Sequence, residues 1–217
     1  MSEFSLADLI SKSKEKVGNS KSLDPMGTGY SYMAGADFPR DVTLLQTFSN
    51  VFDESGKKID VKDGLYNHHN VFFDFSASAP TMVGCEGKAA VGKTITTSIF
   101  MAGATEEGNT RFTSVDGKFN SGFYLGKDDK INMGIDVVNY NNVSRTVYVE
   151  ADMEYVPGQM KDALPSAQQV INLGMCSGFN GVDIHPPPGQ KKFKLEGSDI
   201  VIARDGWMVS TGGHLHG

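Results

Sequence analysis

Four of the five histidines in this 217-residue chain stand in two tight pairs. His68 and His69 are adjacent within "YNHHNVFF", and His214 and His216 form an H-x-H in the last four residues, while His185 stands alone before three prolines. Neutral imidazole is a common protein ligand for copper and zinc. Residues two apart on an extended strand leave the same face, so His214 and His216 can chelate one ion at no backbone cost, with Leu215 turned away. Adjacent histidines point to opposite faces. His68 and His69 reach one ion only where the strand bends or bulges. In a regular strand, His69, Val71, Phe73 and Phe75 would line the core face, and His68, Asn70, Phe72 and Asp74 the other. Plainer roles also fit: two half-buried strand histidines hydrogen-bonded to neighbours, and a chance or tag-derived H-x-H. Two such pairs in a chain with almost no other histidine favour metal. His185 reads as a turn or surface residue.

A second motif offers chemistry that its surroundings refuse. "GKAAVGKT", Gly87 to Thr94, fits the phosphate-binding loop G-x-x-x-x-G-K-[ST] letter for letter. That loop needs a helix after it, whose N-terminal amides hold the phosphates. Here "ITTSIF" follows, which is β-branched and poor in a first helical turn. A glycine-containing β-turn is the expected structure.

The elements that must position the histidines are strands. The composition, with 13 Phe, 7 Tyr and 25 Gly, suits strands and turns better than helical bundles. "TVYVEADMEYV" alternates cleanly, with Val147, Val149, Ala151, Met153 and Tyr155 on one side, which marks a half-buried antiparallel strand. "KTITTSIFM", "SGFYLG", "KINMGIDVVNY" and "DGWMVSTGGHLH" read as further strands, separated by turn clusters such as "GKDDK" and "DESGKK". "SLADLISKSKEKVGN" reads as one short N-terminal helix, with Ser5 and Asp8 as a capping box and Gly18 as the stop. The fold class is therefore all-β, an antiparallel jelly roll or β-sandwich. The expected division is a helix and irregular segment over 1–39, a first β-sandwich over 40–156, a linker over 157–166, and the start of a second, incomplete sandwich over 167–217.

The net charge of −6, with no basic run, excludes nucleic acid as the expected partner, and no stretch approaches a membrane span. Cys85 and Cys176 fit either one bridge or two buried thiols. Asn142, in the sequon Asn142-Val143-Ser144, is a glycosylation candidate on a turn rich in turn formers.

In order along the chain, "NHHNVFF…VGC", "SGFYLGKDDKINMGIDVVNY", "VYVEADMEYVPG", "INLGMCSG…GVDIHPPPGQ" and "RDGWMVSTGGHLHG" resemble the copper type II, ascorbate-dependent monooxygenases. Peptidylglycine α-hydroxylating monooxygenase is the best-known member, and the likeness is closest to uncharacterised fungal members. It covers roughly residues 40–217. The resemblance implies two jelly-roll sandwiches side by side, each with one copper. His68 and His69 would then bind the electron-transferring copper, and His214 and His216 the oxygen-activating one, so that the two pairs hold separate ions. It implies copper at two sites, with zinc as the alternative metal, and C–H hydroxylation with dioxygen and an external reductant.

Three departures accompany the resemblance. Asn139-Tyr140 stands where the family has the "HY" of its third histidine, Gly212 stands where the peptide-hydroxylating enzyme has a substrate-binding arginine, and the family's methionine ligand would lie beyond Gly217. Peptide amidation is therefore not the expected activity. A small-molecule or peptide substrate is expected, with another chain or a further C-terminal segment completing the second sandwich. The alternative is a non-catalytic metal-binding or structural β-sandwich. Either would be secreted or at the cell surface.

Overall fold

A computed structural model of the chain describes residues 4–5, 16–20, 27–33, 38–87, 97–105, 108–177, 184 and 187–214. His185, Lys93, Thr94 and His216 lie outside the described residues. The strands in chain order are β1 (Phe4–Ser5), β2 (Lys16–Ser20), β3 (Thr28–Met33), β4 (Val42–Phe52), β5 (Leu65–Ser78), β6 (Val83–Gly84), β7 (Thr97–Gly103), β8 (Gly108–Arg111), β9 (Ser121–Leu125), β10 (Ile131–Asn139), β11 (Tyr148–Pro157), β12 (Leu164–Pro165) and β13 (Val201–Ile202). The first sheet runs β1-β11-β4-β9-β12, and β8 also pairs with β4. The second runs β2-β3-β10-β5-β7, and β13 pairs with β6 as a separate two-stranded ribbon. All the long ladders are antiparallel, while the two-residue pairing of β12 with β9 is parallel.

The fold is all-β, and the two main sheets face each other over one core. Val42, Leu44, Val51, Phe123, Leu125, Val149 and Ala151 come from the first sheet. Phe72, Phe100, Met101, Ile131, Met133 and Ile135 come from the second. Phe72 is fully buried between Phe38 and Phe100, with ring centroids 6.0 and 6.1 Å away. In β11, Val149 and Ala151 are buried and Met153 and Tyr155 pack against the core, as does Val147 just before the strand, as the alternation predicts. Truncating a ring such as Phe72 in this setting costs about 3–5 kcal/mol.

The expected N-terminal helix is not seen. Its two ends lie in strands, β1 at Phe4–Ser5 and β2 at Lys16–Ser20, and residues 6–15 lie outside the described residues. Helical elements among the described residues come down to one 3-10 turn, Val61–Asp63. The stretch expected to be irregular holds β3, which pairs with β10 on one side and β2 on the other. Ladder pairing and the packing of Tyr30 and Tyr32 onto the core outweigh the weak local preference for helix. Close after the phosphate-loop motif, Thr97–Gly103 form strand β7.

The stretch 157–166 carries β12, which lies beside β9. From residue 167 onward the described chain contributes β13 and a small cluster of Met175 and Cys176 with Val83, Cys85 and Ile200. Cys85 and Cys176 are bridged, with Cα atoms 5.4 Å apart and a sequence separation of 91. This bridge and the β13–β6 pairing fasten the C-terminal segment to the sandwich.

Candidate metal centre

The centre is built on β5, the strand that carries His68 and His69. A 3-10 turn precedes it, capped by Asp60 and closed by Gly64, whose positive φ of 79° is one that glycine adopts freely. Asn141 ties this entry down by donating from Nδ2 to the Gly64 carbonyl at 3.0 Å, and the Tyr140 amide donates to the same oxygen at 2.9 Å.

The β5–β10 ladder is regular on both sides of the histidines and slips between them. Asp136 pairs with His69, and the next residue, Val137, pairs with Asn67. His68 is the extra residue of a β-bulge. A bulge brings two successive side chains to nearly the same side of a strand. The His68 and His69 rings accordingly meet edge to face, with centroids 4.7 Å apart. Tyr66 stacks on His68 at 5.5 Å from the same side.

The bulge also reverses the expected faces of β5. Beyond it, Asn70, Phe72 and Asp74 are the buried residues, while His69, Val71 and Phe73 are half-buried and Phe75 is exposed. The sequence pattern assigned the core to the opposite set. Leu65 and Phe72, seven positions apart, both belong to the core cluster, which a regular period of two forbids and one extra residue allows.

The third imidazole arrives from the far end of the chain. His214 lies with its ring centroid 5.3 Å from that of His68 and 6.1 Å from that of His69. One ring nitrogen from each of the three histidines lies within 4.8 Å of the others. Donors around one ion at about 2.0–2.1 Å can be no more than about 4 Å apart, so a small movement of the exposed His214 ring closes the set. Three imidazoles form a donor set suited to copper or zinc. Behind them, the Asp136 carboxylate lies 3.3 Å from His68 Nδ1, with His68 2% and Asp136 4% exposed. A carboxylate behind a histidine fixes the ring's tautomer and orientation and leaves its other nitrogen to bind an ion.

The sequence reading assigned the two histidine pairs to separate ions, whereas His214 lies beside His68 and His69. The end of the described chain thus returns to the bulge of β5, with Trp207 against Phe119 on the way. His216 lies outside the described residues. Asn139 takes no part. It ends β10 and serves the following turn, with Nδ2 donating to the Val143 carbonyl at 2.9 Å and Oδ1 accepting from the Asn141 amide at 3.0 Å. Asn142 is exposed in the same turn. Sequence reasoning missed Asp136 and Tyr66. The visible signal for Asp136 was an acid alone among apolar residues in "INMGIDVVN".

Compared with family models, curated proteins and solved structures, the chain matches none.

Proposed function

We propose that this protein binds a single copper ion through His68, His69 and His214. The observation that supports the reading is the meeting of three imidazoles from opposite ends of the chain, two of them aligned by a bulge. In it, buried His68 and Asp136 form the fixed half of the site, and exposed His214 forms the adjustable half. Copper, when bound, would supply one-electron redox chemistry, in keeping with the resemblance to ascorbate-dependent monooxygenases. The half-buried Val71 and Phe73, on the His69 side of β5, offer an apolar surface beside it for a small-molecule or peptide substrate.

The taking of His214 into the His68/His69 cluster favours a second reading. A single centre leaves no pair of facing sites for electron transfer and oxygen chemistry, which suits a non-catalytic copper- or zinc-binding sandwich. The Cys85–Cys176 bridge suits an oxidising compartment and hence secretion or the cell surface in both readings. Exposed Ile171, Phe193, Ile202 and Trp207 on the C-terminal segment are the kind of surface that a second chain, or a further segment completing another sandwich, would cover.

Metal analysis of protein purified without chelator or histidine tag tests both readings, with one ion per chain expected. No bound copper or zinc, and no uptake of added Cu(II) or Zn(II) tighter than micromolar, would remove them. Ascorbate-dependent oxygen consumption then separates the enzyme from the binder.

A further inference from the structure

The segment that brings His214 to the site is held very lightly. The Cys85–Cys176 bridge and the β13–β6 pairing fix the chain as far as Ala203, whose amide donates to the Met82 carbonyl at 2.9 Å. From Arg204 to Gly213 the strap makes no hydrogen bond or ion pair among the described residues. Its one ring contact there is Trp207 on Phe119, with centroids 4.8 Å apart. Nearly every residue of the strap is exposed, Trp207 at 67% and Met208 at 82%. A Cβ placed on Gly206, Gly212 or Gly213 would meet nothing within 4 Å. At its end, His214 comes within ring contact of the buried His68.

A stretch so sparsely held loses much backbone entropy when it docks. One aromatic contact and one imidazole must offset that loss. We propose that residues 204–214 form a metal-operated strap: an ion shared by His68, His69 and His214 locks the strap against β5, and without the ion the strap comes away from it. This rests on the metal-site reading above and adds that occupancy sets the position of the tail. The sense follows from linkage. An ion that gains its third imidazole only in the docked state binds that state more tightly, and so shifts the population toward it. The site itself would be exposed or covered according to metal supply, without any change in the sandwich core.

The test is limited proteolysis of the full-length protein with and without Zn(II), by trypsin after Arg204 and by chymotrypsin after Trp207, with Zn(II) uptake measured in parallel by calorimetry. The wild type is expected to bind one Zn(II), and cleavage at these two bonds should slow by about ten-fold or more on binding, because a protease needs a segment that can leave its docked path. His214→Ala, at an exposed position, should still take up Zn(II) weakly through His68 and His69 and should show no slowing at saturation. Emission from Trp207, the only tryptophan in the chain, should shift on Zn(II) addition in the wild type and not in the variant. Stoichiometric Zn(II) binding with unchanged cleavage would overturn the strap and leave the metal site standing. Equal slowing in His214→Ala would overturn it too, because the locking would not run through His214. Absence of Zn(II) binding would overturn the metal reading and the strap together.

Discussion

His68 and Asp136 face each other across the β5–β10 ladder, Nδ1 to Oδ2 at 3.3 Å, both almost wholly buried and both beside the single register slip of that ladder. The pairing makes Asp136 a positioning residue for the candidate centre. Asp136→Asn keeps the shape and removes the charge. It should weaken Cu(II) or Zn(II) binding about 10–100-fold, as loss of a carboxylate behind a ligating histidine does. A chelator competition assay measures the affinity, and the thermal midpoint of the metal-free protein reports separately on folding.

Because the three histidines converge, their losses should not add. His68→Ala, His69→Ala and His214→Ala should each act on the same ion, and the double variant His68→Ala/His214→Ala should bind scarcely less than the weaker single variant. Titration should reach one equivalent per chain. Two equivalents, with His214→Ala removing only one, would restore the arrangement of separate ions.

Asp74 gives the stability a pH dependence of unusual sign. Its carboxyl is 1% exposed, and its pKa is raised above 3.8, first by burial and then by the nearby negative charge of Asp129. The folded state therefore holds this proton more tightly than the unfolded state. Its contribution to stability is full below the unfolded value of 3.8 and is lost as pH rises through the folded value. Asp74→Asn, which can still accept from the Ser76 amide, should flatten that part of the curve. Urea unfolding across a pH series checks it, and a steeper fall in the variant would count against this account.

Gly103 ends β7 where the chain passes closest to β4. A Cβ there would sit 2.3 Å from the Ser49 carbonyl oxygen and 2.8 Å from Asn70 Oδ1, and the first of these is backbone that cannot step aside. Gly103→Ala should destabilise the sandwich by about 1–3 kcal/mol, the cost of overpacking. Denaturant unfolding provides the measurement, and a neutral result would mean that the two sheets part more readily than this contact implies.

Opening the Cys85–Cys176 bridge should cost about 2–5 kcal/mol, mostly by freeing the unfolded chain. The paired Cys85→Ser/Cys176→Ser variant should show the lower midpoint under non-reducing conditions, and reductant should lower the wild type toward it.

The sequence was most legible where alternation was clean. Val147 to Tyr155 needed only its period of two to be placed, and the all-β class followed from many such runs. The helix read at residues 5–18 meets strand at both of its described ends, Phe4–Ser5 and Lys16–Ser20, where pairing with β11 and β3 decides the structure, and the partner strand β3 was hidden in a Gly/Ser-rich stretch. There, the alternation of Tyr30 and Tyr32 with Gly29 and Ser31 was the signal. The histidines were legible as candidate ligands but not as one group. A slip of one residue at His68 inverts every later face assignment in β5, and no local pattern announces it. The return of His214 to β5 depends on chain path, which spacing does not encode.

The bulge at His68 also says something about how such a centre can come and go. Leu65 and Asn67 before it, and Asn70 and Phe72 after it, keep their places inside because one residue has been added between them. Removal of that residue would restore an ordinary ladder with every core side chain still in phase. The expected product of a single-codon deletion at His68 is thus an intact, more regular sandwich without its donor pair. The extra residue leaves the ladder unpaired at one position, and what it brings there is the second of two adjacent imidazoles. A family built on this scaffold could gain or lose metal by one insertion or deletion, without rebuilding anything else.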